Sequence, residues 1–235
     1  MRKKIHRFFT AVPFTNSEVA ISDPELIHQW SRVLRLTTGE TIILVNPEGC
    51  EAEGVLQELT PHNATVKINS VKKKEEQGRK VTLYAAILKG DHFELALEKA
   101  VEAGVSSIVP ILTERTVKTG LKQERLLKII REAAEQSGRS FIPALKETIP
   151  FTEALSKAKA TDAVIFCDPD GTYYPEVFPG LPSSVSLFIG PEGGWSEAET
   201  NLAKDSGALC TSLGNLILRG ETAVTIATFL TVHTK

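Results

Sequence analysis

The chain has 235 residues and a nearly balanced charge, 27 Lys and Arg against 29 Asp and Glu, with 42% hydrophobic and 24% charged residues. That length supports one large core or two modest ones, and the composition excludes wholesale disorder. No apolar run reaches the roughly 18 residues a membrane span requires, and no signal-peptide core follows the basic start Met1–Arg7. Cys50, Cys167 and Cys210 are odd in number, far apart and in apolar contexts, which predicts reduced, buried thiols of a cytoplasmic protein and neither a disulfide framework nor a metal site.

Taken in chain order, the first 71 residues read mostly as β-structure, with strands over Arg7–Thr10, Thr41–Asn46, Cys50–Leu59 and Ala64–Val71 and turns at Gly39-Glu40 and Asn46-Pro47-Glu48-Gly49. One helix interrupts them, from Pro24 to about Leu34, with Asp23 as N-cap and Pro24 at the first helical position. Residues 72–80 are charged, lack apolar periodicity and read as a linker.

From Val81 the rhythm alternates between strand and helix. Val81–Leu88 is a continuous β-type run, as expected of a strand buried on both faces. Asp91–Ala103 has a helical period and closes at Gly104. A strand at Ser107–Leu112 and an amphipathic helix at Gln123–Gln136 follow, then short apolar strands at Ala163–Cys167 and Val185–Ile189. Ser196-x-x-Glu199 is a capping box opening a helix, before a strand at Leu209–Leu213 and a last helix at Glu221–Val232. Such alternation implies an α/β domain over 81–235, a parallel sheet covered on both faces, with ligands at the carboxyl ends of its strands.

Charge is unevenly spread. Residues 1–17 hold Arg2, Lys3, Lys4 and Arg7 with no acid, and residues 115–146 hold eight basic residues against three acids. A phosphate-facing patch and an ordinary solvated helix face both fit that asymmetry.

Chemistry concentrates in two glycine-bearing segments, Ile189-Gly190-Pro191-Glu192-Gly193-Gly194-Trp195-Ser196 and Leu213-Gly214-Asn215-Leu216-Ile217-Leu218-Arg219-Gly220-Glu221-Thr222-Ala223. Each joins a strand to a helix, where glycine lets backbone and ligand approach closely. Neither is a dinucleotide fingerprint or a phosphate loop ending in Gly-Lys-Ser/Thr. The chain also lacks His-Glu-x-x-His, Cys-x-x-Cys and Gly-x-Ser-x-Gly patterns, so metal catalysis and a nucleophile elbow are unsupported. What the loops offer is a pocket of backbone amides and small residues rimmed by Glu192, Arg219 and Glu221, suited to a neutral-to-cationic, mostly apolar ligand bearing a purine.

These two loops resemble the diagnostic loops of the ribosomal RNA small subunit methyltransferase E family, a member of the SPOUT class. Further matches run in order along the chain: His6-Arg7-Phe8-Phe9, Val33-Leu34-Arg35-Leu36-x-x-Gly39-Glu40, Leu88-Lys89-Gly90-Asp91, Glu98–Val105 and Glu132–Arg139. Leu216 and Gly220 depart from the family pattern, which usually has a basic residue and a Thr there. The resemblance implies methylation of uridine N3 in small-subunit (16S) ribosomal RNA within the assembled subunit, by a homodimer using S-adenosylmethionine and no metal. It also implies a PUA-like β-barrel over 1–71 that grips RNA and a deep trefoil knot in the domain over 81–235. The cofactor is then expected against Leu88, Ile189, Gly190, Glu192, Gly193 and Gly194, and against Leu213, Gly214, Leu218, Thr222 and Ala223. Lys3, Lys4, Arg7, Arg35, Arg115 and Arg139 are expected to meet RNA phosphates. Arg219 is assigned to favouring the uridinate at catalysis, the alternative being a pair with Glu192 or Glu221 that holds the knot. A related enzyme acting on another RNA or base atom, or an inactive RNA-binding relative, stays open at this point.

Overall fold

A computed structural model describes residues 5–76, 78–117, 120–176 and 180–234. The chain divides into two compact units, residues 1–76 with 134–142, and residues 77–133 with 143–235.

In the first unit, β1 (His6–Phe9), β2 (Glu18–Ile21), β3 (Thr41–Val45), β4 (Cys50–Leu59) and β5 (Ala64–Lys73) form a sheet of order β1-β3-β4-β5-β2. Only β1 and β3 pair in parallel. The path is open, with β1 and β2 at opposite edges, where a closed barrel was expected. A helical segment covers its core instead: α1 (Pro24–His28) runs directly into a π turn, Gln29–Val33. Their buried Leu26, Ile27 and Trp30 join Phe8, Ile21, Ile42, Leu44 and Leu56 in one cluster, and the Phe8 and Trp30 rings lie 5.0 Å apart. Deleting either ring would cost about 3–5 kcal/mol. Asp23 caps α1 as its position predicts, accepting from the Glu25 and Leu26 amides. Two sequence expectations change here. β2 was not foreseen, and β5 runs on to Lys73, into the expected linker.

Residues 134–142 complete this unit. Glu51 accepts from Arg7 Nη1 at 2.5 Å and from the Ser140 hydroxyl, Arg7 also donates to the Arg139 carbonyl, and the Phe9 amide donates to Glu135 at 3.0 Å.

The second unit contains β6 (Lys80–Ala86), α2 (His92–Glu102), β7 (Ser107–Leu112) and α3 (Gln123–Gln136), whose last three residues belong to the first unit. There follow β8 (Ala144–Leu145), β9 (Ile149–Pro150), α4 (Phe151–Ala158), β10 (Ala163–Tyr173), β11 (Ser184–Ile189), α5 (Glu197–Asp205), β12 (Leu209–Ser212) and α6 (Gly220–His233). The sheet has order β12-β10-β11-β6-β7-β8, with β9 also beside β7 and every pairing parallel. Its central strands β6 and β11 are nearly continuous buried runs, the pattern of a parallel sheet covered on both faces. Tyr84 and Phe188 stack across them at 4.5 Å, and Phe166 stacks on Trp195 at 4.4 Å. Among the described residues no helix is long and apolar enough to cross a membrane. The three cysteines are free and half-buried, less enclosed than expected.

Candidate active site

β11 ends at Ile189, and Gly190–Ser196 turns the chain into α5. A Cβ on Gly190 would stand 2.9 Å from the Trp195 ring, so that position tolerates only hydrogen. Gly194 has φ +69° and donates its amide to Pro191, closing a turn. Three further bonds pin the loop to its neighbours: Trp195 Nε1 to the Cys167 carbonyl at 2.8 Å, the Lys89 amide to Glu192 at 2.8 Å, and Arg115 Nη1 to the Gly193 carbonyl at 2.7 Å. Ser196 and Glu199 form the predicted capping box, and the second Glu199 oxygen accepts from the Glu114 amide.

The second loop leaves β12 at Ser212 and enters α6 at Gly220. Gly214 has φ +127°, and the space its absent Cβ would occupy is open for 4 Å. The Ser212 hydroxyl donates to the Gly214 carbonyl at 3.1 Å, which braces the turn. A Cβ on Gly220 would meet Leu88 at 2.7 Å, so Gly220 lets the helix start approach the end of β6. Glu221 pairs with His92 at 3.2 Å.

Between the loops lies a cleft that opens to solvent. Ile189, Gly190, Glu192 and Gly194 line one side; Leu213, Gly214, Leu218 and Ala223 line the other. Four expected site residues do not line it. Leu88 underlies Gly220, Gly193 packs on the Arg115 side chain, Thr222 is exposed, and Arg219 stands exposed at the N-cap of α6. Arg219 makes no ion pair or side-chain hydrogen bond among the described residues, while Glu192 and Glu221 are bonded elsewhere.

The cleft also takes residues that sequence reasoning missed. Cys167, Asp168 and Pro169 come from β10, beside β11, and Thr211 and Ser212 from β12. Pro191, Trp195, Leu216, Ile217 and Gly220 lie within the loops already singled out and needed only their side-chain directions. Leu216 and Ile217 are 81% and 92% exposed despite being apolar. Asp168 and Glu192 are the charged groups on the wall, and no cation lines it among the described residues, so the field favours a neutral or cationic ligand. Burial pushes the Cys167 thiol up to about 12, which keeps it neutral and unreactive near pH 7. Among the described residues no group of three His, Cys, Asp or Glu is arranged to hold a metal ion.

The residues expected at RNA are differently disposed. Lys3 and Lys4 lie outside the described residues. Arg7 is only 13% exposed and committed to Glu51. Arg139 is half-buried, and burial lowers its pKa against the opposing charge of Glu76. Arg115 is exposed but tied to Gly193, and Arg35 is exposed with φ +52°.

An RNA methyltransferase domain family matches residues 74–231, a span that contains both loops. A ribosomal RNA small subunit methyltransferase E from Synechocystis is 33% identical over 210 residues, covering 86% of this chain and 68% of that protein. The protein of the same description from Bacillus subtilis is 32% identical over 215 residues, 85% and 84% of the two chains. The crystal structure of a ribosomal RNA small subunit methyltransferase E from Neisseria gonorrhoeae bound to S-adenosyl methionine superposes with a TM-score of 0.86 at 29% identity, covering 96% of this chain and 95% of that one. The chain that builds this cleft therefore belongs to the RNA methyltransferase family, among the ribosomal RNA small subunit methyltransferases E.

Proposed function

We propose that the protein methylates N3 of a uridine in small-subunit (16S) ribosomal RNA, with S-adenosylmethionine bound in the cleft between the two glycine loops. The observation that carries this reading is the cleft itself, whose wall is apolar, bears two carboxylates and no cation among the described residues, and leaves open space at Gly214. A cationic, purine-bearing ligand fits that chemistry. When bound, S-adenosylmethionine supplies an electrophilic methyl group and its own thioether leaving group.

The chain's residues bind and orient. Leu213, Leu218 and Ala223 offer an apolar wall for the ligand's uncharged parts, and Asp168 and Glu192 favour its positive charge. Uridine N3 carries a proton that must depart before or as the N–C bond forms. Arg219 makes no ion pair among the described residues and would favour the uridinate, as donors stabilise any developing anion. The pairing alternative loses support because both candidate partners are bonded to Lys89 and His92.

The finer architecture belongs to the same reading. We take residues 81–235 as a SPOUT domain whose segment around Leu213–Gly220 threads a loop in a deep trefoil knot. In support, β12 sits at the sheet edge while α6, only eight residues on, packs on the central strands β6 and β11. The N-terminal unit serves as a PUA-like RNA grip, and the enzyme acts as a cytoplasmic homodimer. Support for the dimer comes from apolar side chains left exposed on α6, Ile226 and Phe229, and on the second loop.

Mass mapping of methylated nucleotides in rRNA from a deletion strain tests the function. One methyluridine should vanish from 16S rRNA and return with the wild-type gene; an unchanged map would refute the assignment. Calorimetric titration with S-adenosylmethionine separates an enzyme from a binder that has lost its cofactor.

A further inference from the structure

We propose that a second cleft, in the first unit, binds the sugar–phosphate backbone of the RNA substrate through Arg32, His28 and His62. It rests on the RNA methyltransferase reading and specifies which surface of the N-terminal unit meets RNA. The cleft lies between the α1–π-turn segment and the turn joining β4 to β5, and encloses about 1380 Å³ that merges with solvent. Among the described residues its polar lining holds one formal charge, Arg32, beside two histidines and the hydroxyls of Ser22, Ser31 and Thr60, and no carboxylate. Arg32, His28 and His62 are exposed, and their side chains make no ion pair or hydrogen bond among the described residues. Of the acids close by in sequence, Asp23 is committed to the α1 amides, and Glu25 and Glu58 do not line the cleft.

Both walls are fixed before any ligand arrives. Thr60 donates to the Asn63 carbonyl and accepts from the Asn63 amide, each at 3.0 Å, holding His62 at the turn. On the other wall the Leu34 amide reaches back five residues to Gln29, and the Leu36 amide six to Trp30. Such π turns are frequent at functional sites.

A second, independent observation lies at the end of that turn. Arg35 has φ +52°, the only positive φ of a non-glycine residue among those described, at the helix-ending position where glycine is usual. Its side chain is exposed and makes no ion pair or hydrogen bond among the described residues. A strained backbone carrying an exposed cation beside the cleft that Arg32 lines points to use of the side chain. An open cleft suits a polymer more than a free anion, which is normally enclosed, and histidine rings add faces on which unstacked bases rest.

The test uses the full chain and purified small ribosomal subunits lacking the modification, with binding followed across a salt series. The variant Arg32→Ala/His62→Ala should bind at least tenfold more weakly, with a salt slope shallower by about one, and should keep its affinity for S-adenosylmethionine. Arg35→Gly supplies the sharper contrast, because relief of the positive φ should raise its melting temperature while RNA binding weakens. Wild type that binds, with both variants equally tight, would overturn the role of the cleft alone. Wild type that neither binds nor methylates the subunit would overturn the RNA reading and the cleft with it.

Discussion

Gly214 shows how one missing side chain serves two needs. Its φ of +127° strains any L-residue, and its absent Cβ points into open space at the cleft wall. Gly214→Val should therefore lower stability by about 1–3 kcal/mol and reduce cofactor affinity more than tenfold in a calorimetric titration. Gly207 has a comparable φ of +83° with open space around it but lies outside the cleft. Gly207→Val should lose stability and keep affinity; equal affinity losses in the two would remove Gly214 from the site. Arg219→Ala addresses the chemistry, and turnover should fall ten- to a thousandfold with cofactor affinity intact, the pattern of an interaction made only in the transition state. Full turnover would end the catalytic assignment. The loops were legible in the sequence because glycines between apolar runs mark close backbone approach. Cys167–Pro169 were not, because their place on the wall follows from β10 lying beside β11, a pairing that no local pattern encodes.

Among elements, the long periodic ones could be read from sequence and the short ones could not. β2 is four residues with two buried positions, too brief for alternation to register. α4 has Pro150 at its N-cap and no side-chain cap, so it lacks a start signal. β10 outruns its apolar stretch because Gly171 permits close approach to β12, where a Cβ would meet the Thr211 backbone at 2.5 Å. α6 illustrates what tertiary contacts add. Arg79 donates to the carbonyls of Thr231 and Thr234 at the helix end, and to Leu181 and Pro182, at 2.5–3.1 Å. A guanidinium there satisfies carbonyls that the helix leaves open and complements its dipole. Arg79→Ala should cost about 2–3 kcal/mol and speed amide exchange in the last turn of α6 but not the first. Uniform acceleration would mean the clamp acts globally.

On the scale of the whole molecule, acid stability and assembly can both be checked. Burial acts to raise the Glu51 pKa, but hydrogen bonds from Arg7 and Ser140 and the Arg7 charge outweigh it, leaving the carboxyl below its ordinary 4.5. A depressed folded-state value stabilises above about pH 4.5, and the contribution fades as pH falls through the lower folded value. The stability gap between wild type and Glu51→Gln in urea melts should thus be wide at pH 7 and narrow at pH 3; an equal gap would refute the linkage. Phe229 is 55% exposed on α6, and if it faces a second copy, Phe229→Glu should convert a sedimenting dimer to monomer. A wild-type enzyme active as a monomer would refute the dimer. The same Glu51 has a consequence for synthesis. Two of its partners lie on opposite sides of the chain's excursion into the second unit, Arg7 near the start and Ser140 after residue 133. A nascent chain emerges from its amino end, and domains ordinarily fold in that order. Here the amino-terminal unit must wait for residues 134–142, so more than fifty residues of the other unit are made before the first can close.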